Sequence, residues 1–141
     1  MKRLQTQSLR DQAQAAVDYI TKARNAKGGW RYAMPPDGDS DSCMTVWMLR
    51  ALLAAEATGL EVDKENFRQG ASFLKRMVDP KGARVGYTES GSPSARVPGM
   101  NMKEFPTGQT ETLTAGALVA IRGMIDAGHK DIKFGDLTDK M

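Results

Sequence analysis

The sequence predicts an all-α fold, and three observations carry that reading. Two stretches, 43–58 and 110–127, are apolar over helical length. Two others, 8–22 and 63–78, carry apolar residues mainly on one face at helical spacing. The two kinds alternate along the chain, so the sequence reads as a helix pair used twice.

In the first stretch Leu9, Ala13, Ala16, Val17, Ile20 and Ala23 share a face, with Asp11, Gln14, Asp18 and Lys22 turned away. A single apolar stripe suits an outer helix lying on a core with its back in solvent. The helix is expected to end before Gly28-Gly29-Trp30, where glycine permits positive φ and the indole folds back onto the helix end. A loop with Pro35-Pro36-Asp37-Gly38 follows. From Cys43 to Thr58, residues such as Met44, Val46, Trp47, Leu49, Leu52 and Leu53 leave almost no polar face, which predicts an inner helix surrounded by others. Asp41 or Ser42 can cap its start, and Gly59 can stop it.

The next element begins with Val62, Asp63 and Phe67 in the order of a hydrophobic staple around an N-cap. Its stripe of Phe67, Ala71, Leu74, Met77 and Val78 runs to Asp79-Pro80, which predicts a second outer helix. Residues 110–127 repeat the inner character with Leu113, Leu118, Ile121 and Met124. There Gly116 and Gly123 permit close approach of a neighbouring helix, and Gly128 ends the element. Between these helices, residues 81–106 form a long polar stretch with Pro93 and Pro98, in which Val85-Gly86-Tyr87 predicts a short extended piece. Connections beyond about 15 residues are usually functional or disordered.

Thr45, Leu49, Ala51 and Leu52 recur as Thr114, Leu118, Ala120 and Ile121, each 69 residues later. Gly29-Trp30 recurs as Gly86-Tyr87. The chain is therefore expected to be one domain, with repeat 1 at about 8–59, repeat 2 at about 62–128, and the start of a further element at 129–141. Arrays of helix pairs normally need about three repeats for stability. Two repeats imply either the remainder of a longer chain or a homo-oligomer.

The 20 Lys plus Arg against 17 Asp plus Glu give a net charge of +3, spread along the chain. Lys22, Arg24, Lys27 and Arg31 read as a solvated helix end, so no nucleic-acid partner is expected. A lone Cys43 rules out an internal disulfide. No apolar run approaches the ~20 residues of a membrane span, and Met1–Gln7 contains no apolar signal segment, so the cytoplasm is the default expectation.

An outer helix, a Gly-Gly-Trp turn, an acidic loop and then Asp41-Ser42-Cys43-Met44-Thr45-Val46-Trp47 running into Ala51-Leu52 resemble the repeat of the squalene-cyclase and protein-prenyltransferase superfamily. The resemblance spans roughly residues 10 to 128 and is nearest to bacterial repeat proteins of unassigned activity. It implies an α/α toroid, here an open ring of about four helices. In the family's glutamine-tryptophan motif a Gln precedes the Trp by six positions, where this chain has Arg24.

Two chemistries follow from the resemblance. Class II terpene cyclases protonate an alkene through Asp-X-Asp-Asp, whose central acid must stay protonated in an apolar cavity. Here Asp39-Ser40-Asp41-Ser42 supplies Asp39 and Asp41 as candidate catalytic acids, with Ser42 in place of the last. If Ala51-Leu52 sets the register, Asp41 becomes the first acid and Cys43 and Met44 replace the others. In either register Asp41 also reads as a helix cap.

Prenyltransferase β subunits bind zinc through Asp-X-Cys and a His on the next inner helix. Asp41-Ser42-Cys43 matches the first part, while Leu113 stands near the place of the His and the one histidine, His129, falls beyond Gly128 in a polar loop. Two ligands do not hold zinc, so no metal or other cofactor is expected. Trp30, Tyr32, Trp47 and Tyr87 are candidates to line a cavity for a hydrophobic small molecule, or else are packing wedges. No phosphate-binding loop and no paired nucleophile and base are present. The sequence therefore predicts a non-catalytic module that binds a protein or hydrophobic ligand at the rim of its inner helices. The alternatives are a terpene-cyclase-like isomerase with Asp41 as proton donor, and a zinc-dependent prenyltransferase-like site.

Overall fold

The computed structural model describes residues 2–81, 84–93 and 111–132, with side chains from residue 6 onward. Four helices organise them: α1 (Lys2–Lys22), α2 (Ser42–Ala57), α3 (Glu65–Met77) and α4 (Glu111–Asp126). Among the described residues there is no strand, only the isolated bridges Trp30 to Asp41 and Val78 to Val85. The fold is all-α. Residues 94–110 of the long polar stretch and the further element expected to extend to residue 141 lie outside the described residues, apart from 129–132.

The helix ends follow the local chemistry. Gly59 and Gly128 take φ of 76° and 84° just beyond α2 and α4, the left-handed conformation that turns a chain out of a helix. Asp63 works as a cap one step earlier than a conventional one. The α3 helix starts at Glu65, and Asp63 Oδ1 accepts the Glu65 amide at 2.9 Å. The α1 helix begins at Lys2, seven residues before Leu9 opens its apolar stripe, and side-chain bonds such as Gln7 to Asp11 (2.9 Å) bridge successive turns there.

Helix α2 touches α1, α3 and α4, and its Leu49 and Leu52 are closed off from solvent. On one side α3 runs antiparallel to it. Gly70 faces Leu49, whose Cδ2 lies only 2.7 Å from where a Cβ would stand, while Phe67 lies toward the far end of α2. On another side α4 runs parallel to it. A Cβ at Gly116 would lie 3.3 Å from Val46, and one at Gly123 would lie 2.9 Å from Leu53, so the two glycines give α2 side chains room against the α4 backbone.

The outer helices also join one another. Gln14 exchanges hydrogen bonds with both the carbonyl and the amide of Glu61, each at 2.9 Å. The buried Asn66 accepts from Arg24 at 2.7 Å and donates to Thr21 Oγ1 at 2.9 Å. Arg24, which stands where the resembling family has Gln, thus ties α1 to α3.

The repeat is visible in hydrogen bonds, with Val85 and not Tyr87 in the place that Trp30 holds in the first repeat. The Trp30 amide donates to Thr45 Oγ1 at 3.1 Å, and the Val85 amide donates to Thr114 Oγ1 at 3.0 Å. Each inner-helix threonine thereby anchors the turn that precedes it. His129 lies in the loop past α4, yet it is buried instead of solvated: its Nε2 lies 2.8 Å from Glu56 Oε2, and its ring packs on Phe67 at 4.3 Å between centroids. It fastens the end of α4 to the last turn of α2 and the first turn of α3.

Leu49→Ala removes a side chain with no solvent exposure and is expected to lower unfolding free energy by about 2–5 kcal/mol in urea titration. Leu9→Ala, at a position 63% exposed, is expected to change it by no more than about 0.5 kcal/mol.

Candidate functional site

The start of α2 collects backbone from both repeats. The Asp41 amide donates to the Trp30 carbonyl at 3.0 Å, and the Ser42 amide donates to the Tyr87 carbonyl at 2.8 Å. Ser42 Oγ adds a 2.6 Å bond to the Gly86 carbonyl. The two aromatic turns therefore close over the N-terminus of one inner helix, which buries Asp41 completely.

Asp41 is the N-cap of α2, and its Oδ1 accepts the Met44 amide at 2.7 Å. Its Oδ2 is buried without a hydrogen-bond partner and lies 3.8 Å from Arg31 Nε. Burial pushes the Asp41 carboxyl above its usual range, against the opposing pull of the Met44 amide, the nearby Tyr87 phenol, the Arg31 guanidinium and the Cys43 amide. Burial, together with neighbouring Tyr32 and the charge of Asp41, likewise holds the Tyr87 phenol well above the tyrosine range. The Cys43 thiol is raised by burial and then by Asp41, so it is a protonated thiol and not a ready nucleophile.

Asp39 does not form an acid pair with Asp41. Its carboxylate is held by Arg31, the guanidinium of which stands between the two acids, and more than half of its side-chain surface is exposed.

The four candidate aromatics separate into three environments. Trp30 is a core wedge at 1% exposure, with its indole N–H donating to the Ile20 carbonyl at 2.7 Å. Tyr32 is exposed on the rim beside Tyr87, which is half-buried next to Asp41. Trp47 stands 60% exposed on α2, with Arg50 over its ring at 5.9 Å. It borders a cleft of about 170 Å³ between α2 and α4, whose walls include Cys43, Val46, Leu113 and Gly116.

The repeat register explains why Trp47 is open. Gly116, 69 residues later, occupies the equivalent place in α4 and is where α4 meets α2. The corresponding face of α2, with Trp47, Ala51 and Ala54 exposed, meets no helix among the described residues. The near-continuous apolarity of α2 thus reflects three packed sides and one open stripe of Trp47, Ala51 and Ala54 that also carries Arg50.

Known protein families, curated proteins and solved structures yield no match to this chain.

The zinc set of the prenyltransferase resemblance does not fit these residues. Leu113 carries no donor, and His129 is engaged with Glu56 at the other end of α2, roughly 20 Å from Cys43 by helix rise. Among the described residues no group of three or more His, Cys, Asp or Glu side chains is placed to hold a metal ion. No described helix is long and apolar enough to cross a membrane.

A raised carboxyl means that the folded state prefers protonated Asp41, so its contribution to stability is complete below the unfolded value and is lost as pH rises through the folded one. Asp41→Asn, which keeps a capping oxygen, is therefore expected to gain stability relative to the parent as pH rises from about 4 to 7. Paired urea titrations at several pH values read this difference. A stability gap that does not vary with pH would contradict it.

Proposed function

We propose that this chain is a non-catalytic helix-pair repeat module that binds a hydrophobic ligand on the open face of α2, with Trp47 as the main contact. One observation carries this reading: an indole is exposed at the position where the second repeat uses glycine for helix packing. An exposed tryptophan beside small apolar neighbours gives up a large apolar area when covered, and such residues dominate binding energy at interfaces. Arg50 over the ring restrains the indole and supplies a polar edge to the apolar cleft. Two parallel inner helices backed by two outer helices are consistent with an open segment of an α/α toroid, in which ligands meet the inner layer.

The chain has two tryptophans, and Trp30 is buried with its N–H satisfied, so a ligand-induced change in emission belongs to Trp47. Titration with farnesol is expected to give a saturable blue shift. Trp47→Ala is expected to weaken farnesol binding about 30-fold in equilibrium dialysis, the effect of truncating an interface hot spot. Equal binding by the parent and Trp47→Ala, with circular dichroism unchanged, would contradict the proposal.

A second reading rests on the orphaned Oδ2 of Asp41 and the raised carboxyl. A protonated acid of this kind can donate a proton to an alkene, with aromatic faces stabilising the cation formed. Against it stand the complete burial of Asp41, its use as a helix cap, and the pairing of Asp39 with Arg31. Incubation with squalene or geranylgeranyl diphosphate is expected to yield no cyclised product; product that disappears in Asp41→Asn would establish the second reading instead.

A further inference from the structure

The contact that α2 makes inside the chain is a template for one that α4 lacks. Val46 and Leu53 of α2 meet Gly116 and Gly123 of α4, and Leu49 of α2 meets Gly70 of α3. One repeat later the presenting positions are Ala115, Arg122 and Leu118 on α4, of which the first two are exposed and the third is only half-buried. One repeat earlier the receiving positions are Trp47 and Ala54 on α2 and Ala16 on α1, all three exposed. Ala16 corresponds to Gly70 in the 54-residue register that pairs buried Val17 with buried Ala71 and buried Ala23 with buried Met77. We propose that these two open surfaces meet between molecules. In the head-to-tail assembly, α4 of one copy lies against α1 and α2 of the next, as α2 lies against α3 and α4 of its own chain.

Side-chain size supports this register. It requires three contacts, Ala115 with Trp47, Arg122 with Ala54 and Leu118 with Ala16, and each sets a large side chain against a small one. Inside the chain Val46 supplies the bulk against Gly116. Between copies the bulk changes sides, with Trp47 against Ala115, so the gap between the two helices is again filled from one partner. Arg122 can lay its aliphatic stem over Ala54 and keep its guanidinium in water with Asp126, 3.0 Å away. Beyond these contacts Ile125, 42% exposed, continues the α4 face, and Leu9, 63% exposed, continues the α1 face with Ala13. Exposed apolar residues are ordinary when scattered, but here the repeat aligns them into two matching stripes.

A second copy is the occupant because one chain carries both halves of the contact. Helix-pair repeats bury their apolar faces against neighbouring repeats, and a further copy supplies that neighbour in the register the chain already uses. The two surfaces differ, so the contact is heterologous and copies add in one direction, into a ring where the rotation closes and an open array where it does not. Trp47 is also the residue assigned above to a hydrophobic ligand. The two occupants exclude each other, and neither proposal rests on the other.

Sedimentation velocity on the parent, Trp47→Glu and Ala115→Arg tests the assembly. The parent is expected to exceed monomer mass at about 100 µM, and each variant, altered at an exposed position, to associate at least about 100-fold more weakly. An equimolar mixture of the two variants is expected to form a dimer and nothing larger, because each keeps one intact surface and the two are complementary. Without any variant, the parent's Trp47 emission is expected to shift to the blue as concentration rises, since Trp30 is already sealed in the core. Ala115→Arg retains Trp47, so farnesol binding by that variant reads the ligand proposal separately. A monomeric parent, emission independent of concentration, a variant that associates as the parent does, or a mixture that stays monomeric would overturn the inference.

Discussion

Two glycines seven residues apart set the spacing on which this fold depends. Helix axes normally stand 8–10 Å apart, at a distance chosen by the side chains between them. At two points where α4 meets α2, α4 brings no side chain: Gly116 faces Val46 and Gly123 faces Leu53. Placing α4 here closes Ala117, Ala120, Ile121 and Met124 into the core. It also brings Thr114 to the Val85 amide, and that bond draws the second turn toward α2, where Gly86 and Tyr87 give their carbonyls to Ser42.

The burial at the start of α2 follows from this placement. Asp41 has one turn on each side of it, with the Trp30 carbonyl bonded to its own amide and the Tyr87 carbonyl bonded to the next. Among the described residues, the two buried side-chain oxygens without partners belong to the adjacent Ser40 and Asp41. Unpaired buried oxygens are costly, so two in succession mark the place where two turns and one helix end compete for the same donors. The functional candidates gather around this point for the same reason, with the Trp47 cleft beside Cys43 at the start of α2.

Much of the framework was legible because it depends on local chemistry. The stripes of α1 and α3, the apolarity of α2 and α4, the stops at Gly59 and Gly128 and the close approach allowed by Gly116 and Gly123 all follow from residue type and spacing. The threonine correspondence, Thr45 with Thr114, proved to be a repeated hydrogen bond and not merely a repeated letter. What spacing did not contain was tertiary pairing. His129 reads as a solvated loop residue until Glu56, 73 positions away, and Phe67 are placed around it and bury it. Asp39 and Asp41 read as a possible acid pair because nothing in the sequence puts Arg31 between them. Four aromatics read alike, whereas Trp30 is sealed in the core and Trp47 stands open, a difference set by which faces of α2 found a neighbour. Ser40 carried no sequence signal, since its orphaned hydroxyl exists only once Gly29 and Phe73 close around it.

The parallel, glycine-lined contact between α2 and α4 can be read directly from nuclear Overhauser effects with methyl-labelled valine and leucine. Cross-peaks are expected from the Val46 methyls to Gly116 and from the Leu53 methyls to Gly123. Cross-peaks linking Val46 to Gly123 and Leu53 to Gly116 would mean an antiparallel pair, and the absence of any contact between these helices would remove the core from which the site is built.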